Sequence, residues 1–169
     1  LRPDLAFASE RRLRAVLQGS TAGLSAAAHQ FLLRSQAGRL LVTLEKRGVV
    51  TFERPTEDQH SPAWNGRLRS EYLPSMAHRV IDRLGVSSSM LVMTAMARAA
   101  GASLMQAAYL GEAIAAVGLA SPGLTAVTSD ELRSFLAARP ELVRAAPPQP
   151  ATAQHGSNST GGRLAAAIL

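Results

Sequence analysis

The stretch from Leu40 to Phe52 constrains the fold of this chain more than any other. Upstream of it, apolar residues recur at helical spacing. Leu13, Val16 and Leu17 lie among arginines between Phe7 and Gln18, and Phe31, Leu32 and Leu33 supply the apolar side of a second pattern over Ser25 to Arg34. Gly19 and Gly38 follow these patterns as stops. At Leu40 the period changes: Leu40, Leu41 and Val42 form a short apolar run, Gly48 interrupts it, and Val49, Val50 and Phe52 resume it. Such runs read as two strands joined by a tight turn at Glu45-Lys46-Arg47-Gly48. Strands set among helical segments must bury their faces against helices, so the expected class is an α/β layer architecture.

The polar, turn-rich segment from Pro55 to Arg69 reads as an exposed loop, with Trp64 covering a local apolar surface. Short strands are expected near Glu71 to Leu73 and His78 to Ile81. Past Gly85 come two apolar helices, one from an N-cap at Ser87 to Ala100, the other from a capping box at Ser103 and Gln106 to about Leu119. Their apolar residues cover nearly the whole circumference, which predicts burial on several sides. Each is shorter than the ~20 residues of a membrane span, and Arg98 or Glu112 interrupts it, so no membrane partner is expected. A last helix opens with a capping box at Thr128 and Glu131 and ends near Arg139-Pro140. From Ala145 to Gly162 the composition turns to Pro, Gln, Ser, Thr, Asn and Gly, which divides the chain into a domain over 1–144 and a flexible linker or tail over 145–169.

At 169 residues and 47% hydrophobic content the chain supports one core. It has no cysteine, which excludes disulfides and thiolate metal sites and suits a cytoplasmic setting. No leader is visible at Leu1-Arg2-Pro3-Asp4, which reads as the interior of a longer fold, and the match of Asn158-Ser159-Thr160 to a glycosylation sequon is treated as chance. Seventeen arginines and a single lysine, Lys46, outweigh 12 acids to give a net charge of +6. That balance admits a basic nucleic-acid-binding module as a third functional reading. The arginines are scattered, however, with no cluster beyond Arg11, Arg12 and Arg14, and few aromatics accompany them. His29, His60, His78 and His155 lack metal-ligand spacing and read as packing or surface groups.

The gapless segment from Leu104 to Leu132 runs as an alanine-rich helix, then Ser121-Pro122-Gly123-Leu124-Thr125, then Val127-Thr128-Ser129-Asp130-Glu131-Leu132. Upstream lies Leu41-Val42-Thr43-Leu44-Glu45-Lys46-Arg47-Gly48-Val49. Together these resemble the C-terminal part of ribokinase-type (PfkB) sugar kinases, with the kinase half of bacterial heptose-phosphate kinase/adenylyltransferases the nearest pattern. The resemblance implies an α/β/α sandwich and ATP with Mg as cofactors. It further implies a partner that supplies the N-terminal half of the fold or another subunit, a homodimer included.

The same resemblance implies an Asp-x-x-Gly-Ala-Gly-Asp motif, where glycines let backbone N–H groups surround the transferring phosphate and the last aspartate takes the proton from the sugar hydroxyl. The chain has Asp82-Arg83-Leu84-Gly85-Val86-Ser87-Ser88 instead, with Ser88 at the catalytic position. The Asn-x-x-Glu motif that helps organise metal and phosphates falls, in this reading, on Asp4-Leu5-Ala6-Phe7, after a helix opening at Leu1 to Asp4. The strand-turn-strand motif keeps Thr43 and Gly48 but holds Glu45 at its first glycine. In the closing helix Glu112 stands at the usual asparagine, expected to pair with an arginine, and Gly123 alone persists from the following turn. The resemblance thus leaves Thr43, Gly48, Gly85, Ser87 and Gly123 as nucleotide-binding candidates, Asp82 as a metal candidate or a cap, and no intact catalytic residue. The expected function is a degenerate sugar-kinase-like domain with a structural, interaction or weak nucleotide-binding role; an active carbohydrate kinase is the alternative.

Overall fold

The structure, a computed structural model, describes residues 3–17, 23–55, 66–123 and 125–144. Its sheet holds β1 (Leu5–Ser9), β2 (Arg39–Thr43), β3 (Gly48–Glu53) and β4 (Arg69–Pro74) in that spatial order, with β1 parallel to β2 and the other pairs antiparallel. Helices α1 (Glu10–Val16) and α2 (Leu24–Ser35) cover one face, and α3 (Val86–Ala99) and α4 (Leu104–Leu119) cover the other. Helix α5 (Ser129–Ala137), followed by α6 (Pro140–Arg144), packs Leu132, Phe135 and Leu136 onto Ala113 and Ala116 of α4. Among the described residues no helix is long and apolar enough to cross a membrane.

Successive strand residues point to opposite faces, and the sequence uses that alternation to feed both helical layers. Leu40, Val42 and Phe52 pack with Leu13, Ala28 and Leu32, whereas Leu41 and Val49 pack with Met90, Ala108 and Ala115. β1 is divided the same way, Ala6 and Ala8 facing the first layer and Leu5 and Phe7 the second. This corrects the expected helix from Phe7: Leu5 to Ser9 is a strand in register with Arg39 to Thr43, and the helix starts at Glu10. Four apolar residues with no turn after them give a weak local signal. β2, some 35 residues on, supplies the hydrogen bonds that decide for a strand.

β2 and β3 are joined by a 3₁₀ turn, Glu45–Arg47, in place of a simple tight turn. Two residues there adopt left-handed backbone, Glu45 at φ 56° and Gly48 at φ 103°. Gly48 has a second constraint, since a Cβ would lie 2.2 Å from the Leu73 carbonyl oxygen and 2.5 Å from the Ser75 nitrogen. Arg39 ties the strands together at their other end by bridging Asp4 and Glu53.

Further expectations need correction. His78 to Ile81 is not a strand: the Ile81 N–H donates to the Leu119 carbonyl at 2.7 Å, and Val80 and Ile81 are exposed, because no strand lies alongside to pair with them. α3 is capped by Gly85 at φ 74°, one residue ahead of its first turn, and not by Ser87. Only α4 is buried broadly; α3 buries Met90, Thr94 and Ala97 but exposes Leu91, Val92 and Met96 at 41%, 55% and 62%. α3 contacts the sheet on one side and α4 on another, and no described element covers the third. Where α3 crosses α4, Gly111 admits Thr94: a Cβ would sit 2.4 Å from the Thr94 Oγ1. Both predicted capping boxes are present, at Ser103–Gln106 and Thr128–Glu131. Trp64, His60, His155, the Asn158 sequon and the expected tail lie outside the described residues.

Gly48→Ala is expected to cost about 3 kcal/mol or more, because the new methyl meets backbone on the neighbouring strand as well as an unfavourable φ. Glu45→Gly should instead gain about 0.5–1 kcal/mol by relieving left-handed strain, less the added freedom of the unfolded chain. Urea unfolding of the two variants checks both signs.

Candidate functional site

Because β1 and β2 are parallel and Ser9 lies opposite Thr43, their carboxyl ends open on the same edge of the sheet. A crevice beyond such strand ends is where open α/β sheets bind ligands. Here it is a cleft of about 370 Å³ lined by Phe7, Ala8, Ser9, Arg11, Arg12, Thr43, Glu45 and Ser87. β1 and β2 supply Phe7, Ala8, Ser9 and Thr43, α1 supplies Arg11 and Arg12, the 3₁₀ turn supplies Glu45, and the first turn of α3 brings Ser87. Thr43 and Ser87 therefore line one cleft. Ser88 is exposed on that turn but does not line the cleft, and Gly48 serves the β3–β4 contact.

The register of β1 also relocates a motif. Asp4 precedes the strand and is bridged to Arg39, while Phe7 lies within it and packs toward α3 and α4. The passage from strand to helix occurs at Ser9-Glu10, where the Ser9 hydroxyl accepts from the Arg12 N–H at 3.2 Å. The strand-to-helix entry that the resemblance implies at Asp4 therefore lies at Ser9-Glu10-Arg11-Arg12, with Arg12 fourth in the run. Sequence reasoning noticed Arg11 and Arg12 only as a basic cluster. The usable signal was the alternating Leu5 to Ala8 run ending at Ser9.

Asp82 acts as a clamp. Its two carboxylate oxygens accept from the Leu84 N–H at 3.0 Å and the Gly123 N–H at 3.1 Å, joining the loop before α3 to the turn after α4. These hydrogen bonds, that from Leu84 foremost, hold its carboxyl below the usual aspartate range. Asp82 and Gly123 are thus brought together beside Gly85, in the capping role rather than the metal role. The metal implied by the resemblance does not fit. Each Asp82 oxygen already accepts a backbone N–H, the cleft carries two arginines against one carboxylate, and no group of three or more His, Asp or Glu side chains among the described residues is placed to hold an ion.

A second cavity, about 570 Å³, lies between α4, α5 and the 76–79 segment, with Met76, Ala116, Ala120 and Phe135 as its apolar walls and His78, Arg79 and Glu131 at its polar positions. One turn along α4 from Ala116 is Glu112, buried at 6% exposure. Among the described residues no arginine pairs with it, and the polar group it meets is the Met76 backbone. Burial pushes the Glu112 carboxyl up to about 7, offset in part by a hydrogen bond with the Met76 backbone.

The Glu112 carboxyl thus titrates near 7 when folded and near 4.5 when unfolded, so the folded chain holds the extra proton between those values. Stability from this group is complete below pH 4.5 and is lost as the pH rises through 7, by about 3 kcal/mol. Glu112→Gln is expected to flatten the fall in urea midpoint between acid and alkaline pH relative to the parent chain. Parallel profiles would show that Glu112 is not the group responsible.

No family profile matches the chain. The bifunctional protein HldE of Granulibacter bethesdensis is 27% identical over 115 residues, covering 68% of this chain and 22% of its own. HldE of a Bradyrhizobium species is 30% identical over 110 residues, 65% of this chain and 20% of its own. The chain therefore spans about a fifth of the length of these relatives. Ribokinase from Thermotoga maritima superposes with a TM-score of 0.64 at 19% identity, over 79% of this chain and 42% of the ribokinase. Sheet order, flanking helices and this superposition agree that the chain has the ribokinase-like fold of sugar kinases over the portion it spans.

Proposed function

We propose that this chain is a sugar-kinase-like domain that has lost phosphotransfer and serves a structural, interaction or weak ligand-binding role, akin to the kinase portion of a heptose-phosphate kinase. One observation carries the reading: the start of α3 offers Ser87, Ser88 and Ser89 but no carboxylate, and Asp82, in the loop before it, accepts backbone N–H groups on both of its oxygens. A serine hydroxyl without an activating partner is not a general base near neutral pH, and loss of such a base costs ~10²–10⁴ in rate. Arg12 at the strand-to-helix junction and Glu45 in place of a glycine act on other parts of the same chemistry. The backbone shape nevertheless persists, with Glu45, Gly85 and Gly123 all at positive φ. An interaction role is supported by β1, an edge strand of the sheet, and by the exposed Leu91, Val92 and Met96 of α3.

Incubated with ATP, magnesium and heptose 7-phosphate, the protein is expected to release no ADP above background, and Ser88→Asp alone should not restore turnover because Arg12 and Glu45 remain. Robust turnover that is unaffected by Ser88→Ala would overturn this reading in favour of an active kinase with a relocated base.

A further inference from the structure

We infer that the cleft at the carboxyl ends of β1 and β2 binds a phosphate group directly through Arg11 and Arg12, without a divalent cation. The inference deepens the weak ligand-binding role proposed above and rests on it.

A phosphate-handling cleft that works through magnesium needs carboxylate or similar oxygen ligands, since that ion keeps near-octahedral oxygen coordination. The charged residues lining this cleft are Arg11, Arg12 and Glu45, two cations against one anion. A divalent cation entering it would meet two guanidinium groups, whereas a phosphate would meet planar donor forks that match its oxygens. The neighbouring arginines show that the pair is set apart. Arg14 and Arg47 are both paired with Glu10, at 2.9 Å and 2.6 Å, while neither Arg11 nor Arg12 has an ion-pair partner among the described residues. The Thr43 and Ser87 hydroxyls add neutral donors on the wall, and Phe7 with Ala8 adds an apolar one. At about 370 Å³ the cleft exceeds a free phosphate ion, which favours the monoester of a small molecule as its occupant. Glu45 opposes the anion from within the cleft, so affinity is modest and rises when that charge is removed.

The test is calorimetric titration of the whole chain with inorganic phosphate at constant ionic strength, first with EDTA and then with excess magnesium, followed by the same titration with a hexose monophosphate. Saturable binding on the order of millimolar, indifferent to magnesium, is expected. It should weaken about tenfold in an Arg11→Ala/Arg12→Ala double variant and tighten about twofold in Glu45→Gln, two exposed-site changes of opposite sign that unfolding would not mimic. Tighter binding of the monoester identifies the sugar phosphate as the natural ligand, and equal binding identifies free phosphate. Binding that requires magnesium, fails to saturate, or is unchanged in the double variant would overturn the inference. Kinase turnover would sink the proposed loss of catalysis without altering these titrations, so the two failures are distinguishable.

Discussion

The alternation of side chains along β2 is the constraint on which the other elements depend. Leu40 and Val42 enter the layer built by α1 and α2, and Leu41 enters the layer built by α3 and α4, so three consecutive residues hold both halves of the sandwich against one strand. All three are fully buried, and each is worth about 1.5–3 kcal/mol of apolar burial. β2 also pairs with the parallel strand on one side and the antiparallel strand on the other. The parallel pairing places Ser9 beside Thr43 and thereby creates the cleft, which is why the site follows from the core and not from a local motif.

The backbone of the site and its side chains are set by different constraints. Left-handed residues at Glu45 and Gly123 and the αL cap at Gly85 shape the turns around the site, even where a glutamate bears the strain. The side chains there are serines at the start of α3, Arg12 at the strand-to-helix junction, and Asp82 holding two loops together. Backbone geometry is over-determined by many packing contacts, whereas a reactive side chain is held by few. The shape of the cleft therefore follows from the core, while its chemistry depends on the few side chains that line it.

Elements with dense local signals were legible from the residues. The capping boxes at Ser103–Gln106 and Thr128–Glu131, the apolar runs on either side of Gly48 and the helix over Leu24–Ser35 are all where periodicity and turn chemistry place them. Thr43 and Ser87 were singled out and do meet in one cleft. The misreadings share a cause. β1 has only five residues and needs β2 to define it, Val80 and Ile81 have strand propensity but no neighbour to pair with, and the apolar outer side of α3 carries no mark distinguishing it from the buried side.

By itself, the sequence determined the class of architecture, the limits of its capped helices and the absence of a carboxylate at Ser88, because each of these is written in residue types and spacings a few positions apart. Only the tertiary structure decided that Leu5 to Ser9 is a strand, that Arg11 and Arg12 line one cleft with Thr43, and that Asp82 spends an oxygen on Gly123. Those facts join residues some 30 to 40 positions apart in the chain, and no local preference specifies such a meeting until the core brings the segments together.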